Sequence, residues 1–199
     1  MALLIAFEGI DGSGISTQVR LLASWFSARG KKVVTTTEPS DSFLGMLIKG
    51  RLSKEVAVSG LAMRFLFAAD SANEYIRTIR PAIETGKMVI CDRRVLSGLA
   101  YGAVDFDIDW LKEVYKGVVL PDLTFYLKIP PRTALHRLGE EGLFLKFFER
   151  ETYLQRVAEN YDRLAEEYPN IFVIDGTKPI PEINKEVIAI ISKKLEGRG

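Results

Sequence analysis

Five short apolar or β-branched runs, separated by helical patterns, predict an α/β protein. Its five-stranded parallel sheet should be covered by helices on both faces. Two further observations sharpen this expectation. The first run leads straight into a glycine-rich loop. Several runs also end in charged residues, so one rim of the sheet should collect the chemistry. A length of 199 residues suits one domain, 1–199, with a full core, and no linker, repeat or low-complexity stretch divides it.

Leu3 to Phe7 is an apolar run of the kind that makes a buried parallel strand. Val19, Leu22, Ala23 and Phe26 then recur at helical spacing, and Gly30 supplies a stop. Lys32 to Thr37 is β-branched enough for a second strand. Phe43 to Arg51 reads as a short helix, and Val56 to Arg80 as a long one that Pro81 kinks or restarts. Met88 to Cys91 is a third strand. Asp109 is placed to cap a helix from Trp110 to Val119, and Leu123 to Ile129 is a fourth strand. Pro131 suits the first turn of the next helix. The pattern is interrupted over Leu138 to Phe148. It resumes with Tyr153, Val157, Tyr161, Leu164 and Tyr168, then a fifth strand, Asn170 to Ile174, and a last helix through Ile183, Val187 and Ile191.

Composition excludes several classes. With 27 basic against 26 acidic residues, the net charge of +1 gives no electrostatic footprint for nucleic acid or an anionic membrane. The single cysteine, Cys91, rules out an internal disulfide framework and fits a reducing compartment. The apolar start is only about five residues long before Glu8 and lacks a basic leader, so it reads as a strand. No stretch is long enough to span a bilayer, and the expected location is the cytoplasm.

The chemistry begins at the first loop. Gly9, Gly14, Ser16 and Thr17 fit the P-loop pattern G-x-x-x-x-G-K-[ST], but Ile15 stands where the lysine belongs. A plain glycine turn before a helix accounts for the same residues. If the loop does bind phosphate, its donors are backbone amides and the helix start, which Ile15 leaves in place. Ser16 can still reach Mg²⁺. What is missing is an ammonium on the outer phosphates. Deleting one such donor typically costs ~10²–10³ in rate, so another cation must take its place or turnover must fall. At the end of the third strand, Asp92 is placed to hold Mg²⁺, and Arg93 and Arg94 offer forked donors suited to phosphate.

These residues resemble the thymidylate kinase family, a group of P-loop nucleoside monophosphate kinases. The loop from Phe7 to Gln18 resembles that family's phosphate loop with the lysine changed. Asp92 to Tyr101 resembles its D-R-Y-x-x-S-x-x-A-Y segment, Phe65 to Asp70 its L-L-F-A-A-D helix, and Pro121 to Leu127 its P-D-L-T-x-x-L strand. The resemblance implies a three-layer P-loop NTPase fold with a mobile lid over roughly 138–150. It implies transfer of the γ-phosphoryl group of ATP, with Mg²⁺, to dTMP.

The loop residues Gly9, Ile10, Asp11, Gly12, Ser13, Gly14, Ile15, Ser16 and Thr17 would hold the donor, with Arg137 packed over its adenine. Asp11, Glu38, Phe67, Arg93, Ser97 and Tyr101 would hold the acceptor, Phe67 stacking on its base. Asp11, Arg93, Arg94, Lys146 and Arg150 would be catalytic, and Ser16 and Asp92 would bind metal. Family members are usually homodimers. Two further departures matter. Arg94 replaces a tyrosine and offers to return charge near the transferred group. Ser71 stands where many members have an arginine reaching the thymine carbonyl, which opens dUMP or another monophosphate as acceptor. A nucleotide-binding protein with degraded catalysis stays open beside the kinase reading.

Overall fold

The computed structural model describes residues 2–139 and 144–196, with backbone alone over 144–148. Among these residues the strands are β1 (Leu4–Glu8), β2 (Val33–Thr37), β3 (Met88–Asp92), β4 (Leu123–Lys128) and β5 (Ile171–Asp175). They form one sheet in the order β2-β3-β1-β4-β5, every pair parallel. The expected five-stranded parallel sheet is therefore present.

The helices are α1 (Ile15–Ser27), α2 (Phe43–Leu52), α3 (Gly60–Glu74), α4 (Arg80–Glu84), α5 (Val95–Gly102), α6 (Ile108–Val114), α7 (Pro131–Arg137), α8 (Phe144–Glu167) and α9 (Ile180–Glu196). Alternation along β1 assigns the two faces, since successive side chains point to opposite sides. Ile5 and Phe7 join the core under α1 and α9, with Leu22, Phe26, Val187 and Ile191. Leu4 and Ala6 meet Ile79 and Ala82 on the other side. There a larger cluster draws on α5 to α8, with Leu99, Leu111, Leu135, Val157 and Tyr161. The sheet is thus sandwiched between helical layers.

Two helices are bounded by caps that the sequence reading did not place. The long helix starts at Gly60 rather than Val56 because the Ser59 hydroxyl caps it, accepting from the Ala62 amide at 3.3 Å. Pro81 does interrupt it, through a π-helical turn over Tyr75–Ile79 before α4 restarts at Arg80. One residue of extra width relieves the clash of the proline ring with the preceding turn. The later helix is capped by Asp107, whose carboxylate accepts from the Trp110 amide at 2.8 Å. It ends at Val114 rather than Val119, and Asp109 lies inside its first turn.

β1 lies in the middle of the sheet with β3 on one side and β4 on the other. From the carboxyl end of β1 the chain leaves toward β2 through α1, whereas from β3 it leaves toward β4 through α5. The crevice between these two strand ends is a switch point, the place where such sheets bind ligands.

Candidate active site

Between β1 and α1 the chain turns through residues 9–14. Gly12 sits at φ +82°, and a Cβ there would come within 2.6 Å of the Ala134 carbonyl, so the loop can lie directly on α7 only with glycine at this point. Gly14, at φ +98°, is the N-cap of α1 and gives it no side-chain cap. The first amides of α1 are left for another acceptor. They border a cavity of about 490 Å³ lined by residues 10–17 together with Asp92, Arg93, Arg137 and Arg150. Ile15 contributes its backbone amide but no polar side chain to it. Its side chain is 5% exposed and belongs to the apolar cluster under α1 and α9. Ile10 is likewise buried, in the core on the α5 side.

Arg93 ties this loop to β3. Its backbone takes the left-handed conformation at φ +69°, which costs a residue with a side chain roughly 1–3 kcal/mol. That turn directs the guanidinium back over the loop. Nη1 donates to the Gly9 carbonyl at 2.7 Å and to Ser97 Oγ at 3.1 Å, and Nη2 donates to Asp11 Oδ1 at 2.8 Å. Tyr101 completes the arrangement, its hydroxyl accepting from the Asp11 amide at 3.0 Å and donating to Asp11 Oδ1 at 3.1 Å.

A second cavity, of about 270 Å³, opens on the other side of Arg93. Asp11, Glu38, Arg64, Phe67, Arg93, Ser97, Tyr101 and Tyr153 are among its lining. All the side chains expected to hold an acceptor therefore share one pocket. Asp11 and Arg93 line both cavities, so they stand at the boundary between them.

Arg94 corrects the sequence reading. It is 1% exposed and lines neither cavity. Its guanidinium is drawn into the interior by an ion pair with Glu38 at 3.3 Å and two hydrogen bonds to the Val119 carbonyl, at 3.3 and 3.2 Å. It braces Glu38 on the wall of the second cavity from behind. Ser71 is also fully buried and absent from the pocket lining.

Glu8, which the sequence marked only as a strand end, is fully buried beneath the site. It accepts from Ser97 Oγ at 2.5 Å, from the Arg94 amide at 2.9 Å and from the Tyr161 hydroxyl at 3.1 Å. Burial pushes its carboxyl up to about 7, and that of Glu38 up to about 8 against the pull of Arg94. Asp70 anchors the loop after β2. It accepts from the Ser40 amide at 2.7 Å and from the Ser40 and Ser42 hydroxyls at 2.6 and 2.8 Å. A carboxylate ending an otherwise apolar buried strand is the signal that could have singled out Glu8. A cation inside the apolar pattern of α3 could have singled out Arg64.

At the loop cavity, Arg137 Nη2 donates to the Gly176 carbonyl at 3.0 Å. It also borders a neighbouring cavity of about 270 Å³ with Gly12, Thr17 and Lys178. Ser16 and Asp92 open together onto the phosphate-loop cavity and onto a larger cleft beside it. The expected lid falls partly on residues 140–143, outside the described residues, and the side chain of Lys146 lies outside them too.

Comparison with known proteins follows the same lines. The profile of the thymidylate kinase family matches residues 7–187. A probable thymidylate kinase of Pyrococcus horikoshii is 37% identical over 199 residues, covering 97% of each chain. One from Thermococcus kodakarensis is 38% identical, covering 97% of this chain and 98% of its own. The thymidylate kinase of Thermosipho africanus is 34% identical, covering 98% of this chain and all of its own.

Proposed function

Because the chain belongs to the thymidylate kinase family, we propose that it transfers the γ-phosphoryl group of ATP to dTMP, giving dTDP and ADP. The observation that carries this reading is the shared boundary of two cavities. One is walled by a phosphate loop and a helix start, the other by an aromatic side chain, carboxylates and hydroxyls, and Asp11 and Arg93 belong to both. Phosphoryl transfer needs little covalent help from a protein. It needs donor and acceptor aligned, and positive charge where oxygen becomes more negative.

In this reading the loop amides and the start of α1 hold the donor phosphates, with Arg137 beside the donor base. Phe67 carries the acceptor base. Tyr101 and Asp11 hold the sugar and the phosphate end, and Arg93 steers the acceptor phosphate toward the loop. The charge that a loop lysine would bring comes from Arg93, Arg137 and Arg150, all of which line the loop cavity. Glu38 shapes the acceptor pocket and Arg94 fixes Glu38.

Ser16 and Asp92 suit Mg²⁺. They offer a hydroxyl and a carboxylate, both hard oxygen donors on one cavity. Among the described residues no group of three or more His, Cys, Asp or Glu forms a closed cage, which fits an ion that keeps water and phosphate oxygens. When bound, it neutralises charge on the donor phosphates.

A homodimer is the assembly we favour. Leu61, Phe65 and Ile76 follow one outer face of α3 and its continuation, each about half exposed, and Phe65 meets Trp110 of α6 edge-on at 5.7 Å. Such a stripe suits a matching copy. We also propose a cytoplasmic location, where the buried free thiol of Cys91 stays reduced. No helix among the described residues is long and apolar enough to cross a membrane.

The test is ADP release with ATP and Mg²⁺ against dTMP, dUMP, dCMP, UMP, AMP and no acceptor, with the nucleotide product identified. ADP formation that depends on dTMP and yields dTDP is expected. Binding of ATP and dTMP without turnover would instead identify a binding protein with degraded catalysis.

A further inference from the structure

Arg64 is a cation that the reading above leaves without a task. It projects from α3 one turn before Phe67, lines the acceptor cavity, and holds its guanidinium carbon 5.5 Å from the centre of the Phe67 ring. Its stem lies against α5, where a Cβ on Gly102 would come within 3.3 Å of Arg64 Cδ. Its Nε is buried and has no hydrogen-bond partner among the described residues. The pocket's other guanidinium is differently placed. Arg93 already gives three of its five N–H donors to Gly9, Ser97 and Asp11. A planar donor with one buried N–H left unpaired by the described residues, beside an aromatic ring on the wall of this cavity, is open to an acceptor atom on a flat ligand.

We infer that Arg64 reads the acceptor base by donating to its C4 carbonyl. The inference rests on the dTMP kinase reading and names the residue that sets base choice within it. A pyrimidine lying on Phe67 has its glycosidic nitrogen turned toward Asp11, Arg93 and Tyr101, the groups shared with or adjoining the phosphate loop. In this pose the C4 substituent, opposite that nitrogen in the ring, faces Arg64. The C2 carbonyl stays beside the sugar. Thymine and uracil present oxygen at C4 and accept from a guanidinium. Cytosine presents an amino group there and leaves Arg64 facing another donor. Such a mismatch, with buried groups unpaired, is what makes a polar contact selective. Ser71, buried and outside the pocket lining, takes no part.

The experiment compares the wild-type enzyme with R64M, which keeps the apolar stem, and R64K, which keeps the charge and loses the fork. Turnover and calorimetric binding are measured with dTMP, dUMP and dCMP. Thermal melting and the KM for ATP serve as controls on folding. The wild type should prefer dTMP and dUMP to dCMP. In R64M the KM and Kd for dTMP and dUMP should rise roughly 10- to 100-fold, those for dCMP less than about threefold, and kcat should fall less than KM rises. R64K should keep part of the preference.

An unchanged ratio of dTMP to dCMP in a folded R64M, or an equal loss for both nucleotides, overturns the role of Arg64 while leaving the kinase reading intact. A wild-type enzyme that neither binds nor phosphorylates dTMP overturns both.

Discussion

Behind the acceptor cavity a set of charged groups is buried and tied to neighbouring elements, whereas around the phosphate loop the charged groups stand on separate elements. Glu8, Glu38, Asp70 and Arg94 are each at most 7% exposed, and each holds a partner on a different element. On the donor side the fixed contribution is backbone, the glycine turn and the uncapped start of α1. Its cations come from the β3–α5 junction, α7 and α8. The difference teaches where substitution is tolerated. A loop built on amides survives Ile15, because its geometry depends on Gly12 and Gly14 rather than on the side chain between Gly14 and Ser16. A wall built on interlocked side chains should not survive the loss of one of them.

The largest effect should therefore come from Arg94, although it touches neither cavity. R94M leaves Glu38 buried without its partner, and breaking such a pair costs about 3 kcal/mol or more. For a chain of this size that is roughly 6–12 °C in Tm. The loss should be greater at pH 9 than at pH 6, because Glu38 can meet it by holding a proton at the lower pH. KM for dTMP should rise while KM for ATP holds. Equal changes in both constants would erase the contrast between the two walls.

A smaller effect concerns protons. Glu8 and Glu38 have carboxyls raised to about 7 and about 8 from an ordinary 4.5. The folded chain therefore keeps these protons at pH values where the unfolded chain has released them. Raising the pH across that window favours unfolding. This contribution to stability is complete below about 4.5 and lost above about 8. Urea midpoints should fall between pH 5 and pH 8, and E8Q should flatten the part below pH 7. A flat or rising wild-type profile would falsify the raised carboxyls.

Legibility in the sequence followed the same division. The sheet, its strand order of appearance and the phosphate loop were readable because alternation and glycine spacing are local signals. Asp11, Glu38, Phe67, Arg93, Ser97 and Tyr101, assigned to the acceptor only through the resemblance, line one cavity. α5 was not assigned from its pattern. Val95, Leu96, Gly98, Leu99 and Ala100 are buried on every side, so no polar face marks the helical period. Arg94 was misread because a cation beside Arg93 reads as a second phosphate ligand. Only the tertiary fold shows Glu38 and the Val119 carbonyl waiting for it inside. Arg64 escaped for the complementary reason, since its neighbours in sequence are apolar and its pocket is assembled from distant segments.

The central claim is that arginines from outside the loop supply what its lysine would. It is tested most directly by a double-mutant cycle on kcat, comparing wild type, R150A, I15K and the double variant with ATP, Mg²⁺ and dTMP. R150A should lower kcat about 10²-fold in the Ile15 chain. In the I15K background, where an ammonium shares the work, the loss should be at least tenfold smaller. The same loss in both backgrounds, or no loss in either, would contradict the account.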